Sequence, residues 1–222
     1  MILKLFKLTN RFGRRGTIDL ALELFHREKG TLIVEIGTIC NPLPRAKIFD
    51  GHSTFAWAMH GKKVFSVDHD GHACSLARSL LSEYSNVQVI NDDGIRFLKE
   101  FEQSIDLLYL DAWDGEPDCR TKHLIAYQVA KKNLHDCSLI LVDDAFSKAS
   151  FLVSEIVRDG WSIVFNEYQV LLAGPGIYNF NETFQRVVKK EAVESETVGC
   201  DSVLEGSKTE FTDCANTCAK GT

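Results

Sequence analysis

Several features common in membrane, secreted and metal-binding proteins are missing from this sequence. It has no run of about 18 apolar residues, so it predicts no membrane-spanning helix. None of its seven cysteines forms a CxxC pair, which is the usual mark of a zinc site or a redox dithiol. Lys4 and Lys7 interrupt the apolar residues of the first segment, and no small-residue cleavage site follows, so no secretory signal is predicted. We therefore expect a cytoplasmic protein with reduced thiols.

A strong excess of basic residues is also missing. The 25 lysines and arginines are outnumbered by 31 aspartates and glutamates, which gives a net charge of -6. This balance argues against a general nucleic-acid-binding protein, because such proteins present a basic surface. The hydrophobic fraction of 45% is that of an ordinary folded protein, and a chain of 222 residues can bury a substantial core.

Short apolar runs alternate with segments of helical periodicity. The runs are nearly continuous, as in strands buried on both faces of a parallel sheet. Right-handed crossovers between such strands predict an α/β protein with a Rossmann-like, doubly wound, mostly parallel sheet and helices on both faces. Two later runs, 161–165 and 168–173, are joined by only two residues, which predicts an antiparallel last strand. The predicted parallel strands are 31–36, 64–67, 87–90, 105–110 and 139–142.

The chain divides into three parts by composition. Apolar residues at helical spacing over 17–29 predict a helical N-terminal segment, 1–30. For its first residues, an amphipathic helix packed on the domain and a membrane-surface anchor are both open. The α/β domain is predicted over 31–180. Glu, Ser, Thr, Gly and Lys dominate 189–222, which is predicted to be a disordered polar tail.

Carboxylates follow most of the predicted parallel strands. The carboxyl ends of parallel strands lie along one edge of a sheet, where open α/β proteins bind their ligands. Asp68 comes directly after its strand, where a bidentate carboxylate can accept hydrogen bonds from both hydroxyls of a ribose. Capping of the following helix is the alternative role. The acidic residues expected to converge at this edge are Glu35, Asp68, Asp93, Asp111, Asp143 and Asp144.

The glycine-rich motif of dinucleotide-binding proteins, G-x-G-x-x-G, is absent. Its backbone amides would hold a pyrophosphate, so its absence disfavours a nucleotide-linked oxidoreductase. Gly37 and Gly51 instead flank a long loop that ends before Ser53 and Thr54. A nucleoside carrying an amino acid suits this arrangement, with Glu35 binding an ammonium and the two hydroxyl residues a carboxylate. S-adenosylmethionine carries all of these groups.

Five motifs at the predicted strand ends resemble those of class I S-adenosylmethionine-dependent methyltransferases, in order and in spacing. They are VEIG at 34–37, FSVDHD at 65–70, VINDDG at 89–94, LLYLDAWD at 107–114 and LILVDDAF at 139–146. The resemblance implies S-adenosylmethionine as cofactor, methyltransferase activity and an antiparallel last strand. The positions that it implies for cofactor binding are Glu35, Gly37, Gly51, Ser53, Thr54, Asp68 and Asp93.

Within that class, LDAWD and the later VDDA are similar to the catechol O-methyltransferase-like branch. There the aspartate after the fourth strand and an acid–amide pair after the fifth hold magnesium. The resemblance implies Mg2+ or another divalent cation on Asp111, Asp143 and Asp144, and carboxylates suit a hard cation. Two positions depart from the pattern, because Asp144 replaces the amide and Asp114 stands where that branch has its general-base lysine. The alternative is that Asp111 and Asp144 line a substrate pocket or cap helices.

Methyl transfer to a hydroxyl requires alignment of the acceptor and removal of its proton. Asp111 and His123 are candidate bases because both are close in sequence to the loop after the fourth strand. His52 and His72 are further candidates, and each histidine has a surface or capping role as its alternative. Trp113 is expected to wall the acceptor pocket.

The leading hypothesis is therefore S-adenosylmethionine-dependent O-methylation of a small-molecule hydroxyl, with metal assistance as a sub-hypothesis. The alternative is a non-catalytic S-adenosylmethionine-binding or scaffold protein of the same fold, which the departures at Asp114 and Asp144 favour. The acceptor stays open, because loops build the acceptor pocket in such folds. The oligomeric state is open too, with a homodimer among the alternatives. No nucleic-acid partner is expected.

Overall fold

The computed structural model describes residues 14–41, 53–148 and 150–177, and a seven-stranded sheet runs through them. Its strands are β1 (Leu32–Ile36), β2 (Lys63–Asp68), β3 (Val87–Asn91), β4 (Ile105–Leu110), β5 (Leu134–Val142), β6 (Ser162–Asn166) and β7 (Val170–Ala173). In space they are ordered β3-β2-β1-β4-β5-β7-β6.

The strands from β3 to β5 are parallel to their neighbours. β7 lies between β5 and β6 and is antiparallel to both. The prediction of a Rossmann-like, mostly parallel sheet with an antiparallel last strand is confirmed. The chain moves outward from β1 to β3 on one side and from β4 on the other. The switch point between β1 and β4 is where open sheets of this kind bind ligands.

Helices connect the parallel strands, and aspartates cap the N-termini of two of these helices. Asp70 Oδ1 accepts a hydrogen bond of 2.8 Å from His72 N, and Asp93 Oδ1 accepts one of 2.8 Å from Arg96 N. Each bond satisfies a backbone donor that the helix itself leaves open. The helices are α1 (Arg14–Arg27), α2 (Ser53–His60), α3 (Gly71–Leu80), α4 (Gly94–Glu100), α5 (Cys119–Ala130), α6 (Ala145–Lys148) and α7 (Ser150–Arg158), with a 3-10 turn at Lys131–Asn133.

The central strands are covered on both faces. All five residues of β1 are buried, as are the last four of β4 and the last five of β5. This is why the sequence shows continuous apolar runs there and no alternation. Each fully buried Leu, Ile or Val side chain contributes about 1.5–3 kcal/mol relative to an exposed one. The core therefore fixes the strand ends that carry the polar residues described below.

Two elements differ from their predicted bounds. β5 begins at Leu134 and not at residue 139, because Leu134 pairs with Ile105 before a register shift. The residues in between are largely polar, so the first half of this strand shows no apolar run. The helix predicted over 149–159 is observed as α7, whereas the short helix α6 before it was not predicted.

Several predicted features lie outside the described residues: 1–13, 42–52 with Gly51 and His52, and the tail from 178 onward. Among the residues that the structure describes, no helix has the length and apolar character needed to cross a membrane.

Candidate active site at the carboxyl edge of the sheet

The carboxyl ends of β1, β4 and β5 lie side by side. Ile36 pairs with Leu110, and Leu110 pairs with Val142. The N–H of Asp111 donates to Ile36 O at 2.8 Å, and the N–H of Asp143 donates to Leu110 O at 3.0 Å. The two aspartates that follow β4 and β5 therefore meet at one edge, as the strand order requires.

Gly37, the residue after β1, has a conformation that favours glycine. Its φ is +104°, and a Cβ at this position would lie 2.1 Å from the carbonyl oxygen of Asp111. A side chain here would push apart the loops that follow β1 and β4. Glycine thus permits the close approach that sets the relative position of these loops.

Glu35 lies inside β1, and protein donors surround its carboxylate. It accepts hydrogen bonds from Ser53 Oγ at 2.6 Å, Thr54 Oγ1 at 2.7 Å, Trp57 Nε1 at 3.0 Å and Ser66 Oγ at 2.7 Å. The residue is 1% exposed. A carboxylate offers about four acceptor positions, so these donors match its capacity.

This cluster gives the side chains of Glu35, Ser53 and Thr54 partners inside the protein. They were expected to contact the cofactor directly, but they bind one another. A carboxylate on a strand that is covered on both faces must find its donors inside the protein. Burial raises the pKa of Glu35 to about 7, and the hydroxyl donors oppose that rise. The cluster attaches the start of α2 to β1 and β2.

Asp68 ends β2, and its side chain is 17% exposed. Its Oδ2 accepts from Thr38 N at 3.1 Å, and its Oδ1 accepts from Asp70 N at 2.8 Å. Each oxygen has one backbone donor and keeps further acceptor capacity. Asp93, by contrast, caps α4 through Arg96 N, which is the alternative role for such an aspartate. The carboxylate of Asp68 thus stays partly open at the end of β2.

A buried hydrogen-bonded chain joins β4, β5 and β7. Tyr109 Oη donates to Asp111 Oδ2 at 3.1 Å. Gln169 Nε2 lies 3.2 Å from Tyr109 Oη and 2.6 Å from Asp143 Oδ1. Burial and the nearby Asp111 raise the pKa of Tyr109 well above its usual value, so this hydroxyl stays protonated. Asp143 is 0% exposed and is bound within the protein.

Lys148, at the end of α6, lies among three carboxylates. Its Nζ is 3.0 Å from Asp111 Oδ1 and 3.6 Å from Asp144 Oδ2, and it forms a close ion pair with Asp114. The lysine side chain is 3% exposed. Burial lowers the pKa of this ammonium, but Asp111 and Asp114 outweigh that effect and raise it above its usual value. Lys148 is therefore a permanent cation.

The predicted magnesium set of Asp111, Asp143 and Asp144 does not fit this arrangement. The Lys148 ammonium pairs with two of these residues, and Gln169 binds the third. In the three described stretches of the chain, no group of three His, Cys, Asp or Glu side chains is placed to hold a metal ion. The ammonium thus lies where the sequence pattern predicted a metal ion.

A cavity of about 560 Å³ adjoins the lysine cluster. Its walls include Asp114, Glu116, Arg120, Asp144 and Lys148, so charged groups of both signs face the same space. Ligand sites hold a few such groups to orient a bound molecule. This is the candidate acceptor site.

His123 is fully buried on α5, with its ring 5.0 Å from that of Trp113 in an edge-to-face contact. His123 Nδ1 is 2.7 Å from Cys119 O, and a carbonyl can only accept, so Nδ1 carries the proton. Among the described residues, Nε2 has no hydrogen-bond partner. Burial lowers the pKa of His123, which keeps the ring neutral.

Neither His123 nor Trp113 is among the residues that line the cavity. Trp113 is only 5% exposed and His123 is fully buried. The expectation that Trp113 walls the acceptor pocket therefore does not fit this cavity, and neither does the expectation that His123 faces the acceptor. His72 is exposed on α3. The rings of His123 and Trp113 pack against each other in the core and support the loop after β4.

Two of the non-glycine residues with positive φ in the described chain lie in the two loops around Lys148. Trp113 has a φ of +60° and Asp144 has a φ of +45°. Residues with a Cβ avoid this region, and where they adopt it the cost is about 1–3 kcal/mol and often falls at functional sites. The loops after β4 and β5 are thus held in shapes that their local sequence does not favour.

Sequence reasoning missed four residues of this edge: Trp57, Ser66, Lys148 and Gln169. Ser66 carried a signal, since it is a polar residue inside the apolar strand β2 and its side chain faces Glu35. Lys148 also carried one, because it follows Asp144 by four residues, which is the spacing of ion pairs on a helix, and directly precedes the helix predicted over 149–159. Gln169 lies in a hairpin turn, where nothing in the sequence marks it.

Comparisons of sequence give no match, neither to a family model nor to a curated protein. Comparisons of structure do find similar proteins, among them several methyltransferases. The N-methyltransferase NodS of Bradyrhizobium japonicum is 16% identical, with a TM-score of 0.54 over 72% of this chain and 96% of that one.

Two others were solved with S-adenosylhomocysteine. The methyltransferase PaMTH1 of Podospora anserina is 15% identical, with a TM-score of 0.54 over 78% of this chain and 86% of that one. SMU.1697c of Streptococcus mutans, an inferred methyltransferase, is 16% identical, with a TM-score of 0.53 over 71% of this chain and 97% of that one.

At these identities the likeness establishes the fold and assigns no reaction. The described part of the chain has a fold similar to that of these methyltransferases. The resemblance to the catechol O-methyltransferase-like branch is not confirmed by the comparisons.

Proposed function

We propose that this chain is an S-adenosylmethionine-dependent methyltransferase that methylates a hydroxyl of a small polar molecule. The observation that carries the proposal is the partly open carboxylate of Asp68 at the end of β2. It lies on the sheet edge where this fold binds ligands. The charged cavity beside Lys148 is lined by residues that come after β4 and β5 of the same sheet.

The residues at this edge fit the cofactor. Asp68 has acceptor capacity left for a ribose diol, and the turn at Gly37 lets backbone groups come close to a ligand. Gly51 belongs to the proposed cradle and lies outside the described residues. Glu35 acts indirectly, because it holds the start of α2, whose backbone N–H groups suit a carboxylate. Asp93 also acts indirectly, by fixing the start of α4.

S-adenosylmethionine supplies an activated methyl group, so the protein has to align the acceptor and accept its proton. Asp111 is the proposed base. Its Oδ2 accepts a hydrogen bond from Tyr109 Oη, and its Oδ1 accepts one of 3.0 Å from Lys148 Nζ. Lys148 itself lines the cavity. His123 is a supporting residue in this proposal, because its neutral ring packs on Trp113 and holds the loop that carries Asp114.

Calorimetry with S-adenosylhomocysteine tests the cofactor site. We expect saturable binding to the wild-type chain and an affinity lower by about ten- to a hundredfold in Asp68→Ala, because hydrogen bonds to a charged group are lost. Glu83→Ala is the matched control, since Glu83 is exposed on the turn after α3. No binding to the wild type, or equal affinity in Asp68→Ala, contradicts the proposal.

Turnover distinguishes an enzyme from a scaffold of the same fold. Incubation with methyl-labelled cofactor and a panel of small hydroxyl compounds should transfer label to at least one of them. Asp111→Asn should slow that transfer by about a hundredfold or more while leaving S-adenosylhomocysteine binding intact. Binding without transfer to any acceptor would favour the non-catalytic alternative.

A further inference from the structure

The carboxylates after β4 and β5 meet an ammonium that the protein itself supplies. We propose that Lys148 is the built-in cation of the acceptor cavity. It neutralises Asp111, Asp114 and Asp144 and holds the acceptor oxygen at the place where the sequence pattern predicted a divalent cation. This role of Lys148 rests on the proposed methyltransferase function and identifies the residue that replaces the metal there.

The fold fixes this ammonium in position. Ala145 N donates to Tyr168 O at 2.8 Å, which ties the start of α6 to the hairpin, and Lys148 N donates to Asp144 O at 2.9 Å, which closes the helical turn that carries the lysine. The lysine side chain is 3% exposed yet contributes to the cavity wall. A buried ammonium is stable only with anionic partners, and the three carboxylates supply them.

The hydrogen bonds of Lys148 leave capacity for a ligand. An ammonium has three N–H donors. Nζ reaches hydrogen-bonding distance to Asp111, at 3.0 Å, and to Asp114, whereas Asp144 is 3.6 Å away. Among the described residues, one donor is thus open to an acceptor oxygen in the cavity.

The step that this geometry assists is a displacement at carbon. The acceptor oxygen forms a bond to the methyl carbon, and the carbon–sulfur bond breaks with its electron pair on sulfur. The hydroxyl proton passes to the Asp111 carboxylate. Lys148 donates to the acceptor oxygen as negative charge develops there, which is the role of a fixed donor in a site with little water.

Lys131 shows how an ordinary lysine of this chain is paired. Its Nζ lies 2.8 Å from Asp159 Oδ2, but the lysine side chain is 46% exposed. Exposed pairs of this kind contribute about 0–1 kcal/mol. Lys131 is therefore a suitable control for Lys148, because it has the same side chain and lies away from the acceptor cavity.

The first test is cation binding by the full chain. Lys148→Met leaves three carboxylates without their ammonium, so millimolar Mg2+ or Ca2+ should raise its melting temperature by roughly 3 °C or more. The wild type, Lys148→Arg and Lys131→Met should show no such shift. Addition of Asp114→Asn to Lys148→Met should reduce the shift. A Lys148→Met protein that folds only when the cation is present also supports the proposal. The proposal is overturned if the cation neither stabilises a folded Lys148→Met protein nor restores folding to an unfolded one.

The second test separates a catalytic role from a structural one. In Lys148→Met, kcat should fall by about a hundred- to a thousandfold with unchanged S-adenosylhomocysteine affinity, and Lys148→Arg should restore part of it. Wild-type activity should resist a chelator. Wild-type kcat in Lys148→Met, or wild-type activity that requires a divalent cation, overturns the proposal. If the wild type proves inactive, the proposed function fails. The change in melting temperature of Lys148→Met with Mg2+ or Ca2+ still tests whether the Lys148 ammonium occupies a site that can bind a cation.

Discussion

Gln169 Nε2 donates a hydrogen bond of 2.6 Å to Asp143 Oδ1. Both residues are 0% exposed. Val142 and Val170 are paired in the antiparallel ladder of β5 and β7, so this bond continues the ladder through the next pair of side chains. The hairpin thereby fixes the direction in which the chain leaves β5 towards α6 and Lys148.

Gln169→Leu should lower the free energy of unfolding by about 1–3 kcal/mol, because the buried Asp143 carboxylate loses a donor at nearly constant side-chain volume. Denaturant titration followed by circular dichroism measures this loss. Gln128→Leu is the matched control, since Gln128 is exposed on α5 and should change stability by less than about 0.5 kcal/mol. Equal effects of the two substitutions would show that the Gln169–Asp143 bond is energetically unimportant.

The sequence predicted the sheet well where apolar runs were continuous. β1, β2, β3 and β4 lie within one or two residues of their predicted bounds, because burial on both faces selects apolar side chains throughout. The first half of β5 was missed because it is polar and lies beyond the register shift opposite Ile105. Strand order also sufficed to place Asp68, Asp111 and Asp143 on one edge.

The contacts of the site were harder to predict. The Lys148–Asp111 pair spans 37 positions in the sequence, and the Gln169–Asp143 pair spans 26. Which side chains meet depends on how α6 and the hairpin pack on the strand ends, and local sequence does not determine that. The sequence places Glu35 beside a polar helix start, and in the structure its donors come from that helix and from Ser66 of β2.

The Glu35 cluster predicts a pH dependence of stability. Its pKa rises from 4.5 in the unfolded chain to about 7 in the folded one, so the folded state binds the proton more tightly. The stability that this group contributes is complete below about pH 4.5 and is lost as the pH rises through about 7. Relative to Glu35→Gln, which is neutral throughout, the wild type should lose about 3 kcal/mol over that range.

Thermal and denaturant unfolding at several pH values measure this difference. Glu83→Gln, at an exposed glutamate, should give a profile parallel to that of the wild type. If the Glu35→Gln profile is also parallel, the carboxyl of Glu35 keeps its ordinary pKa in the folded protein and the cluster does not couple stability to pH.

Gly37→Ala should destabilise the protein more than Gly160→Ala does. Both glycines have positive φ, +104° and +90°, but a Cβ at Gly37 would lie 2.1 Å from Asp111 O, whereas one at Gly160 would meet no heavy atom within 4 Å. Gly160→Ala should cost about 1–2 kcal/mol for its backbone conformation. Gly37→Ala should cost about 1–3 kcal/mol more for the forced separation of the two loops. Denaturant titration of both variants decides this, and equal costs would mean that the loops yield freely.

Asp144→Gly and Lys29→Gly should show whether the strain beside Lys148 serves function. Both residues have positive φ, +45° and +60°, and glycine relieves strain that costs about 1–3 kcal/mol. After the larger unfolded-state entropy of glycine is subtracted, Lys29→Gly should gain about 0.5–1 kcal/mol. Asp144→Gly should gain less, because it also removes a carboxylate partner of the buried Lys148 ammonium. Lys29 is exposed after α1 and should keep full turnover. Asp144 lies on the cavity wall beside Lys148, so its variant should be more stable and slower. An Asp144→Gly protein that gains stability and keeps wild-type kcat would show that acceptor chemistry does not require the strained loop, since nothing was lost when the strain was released.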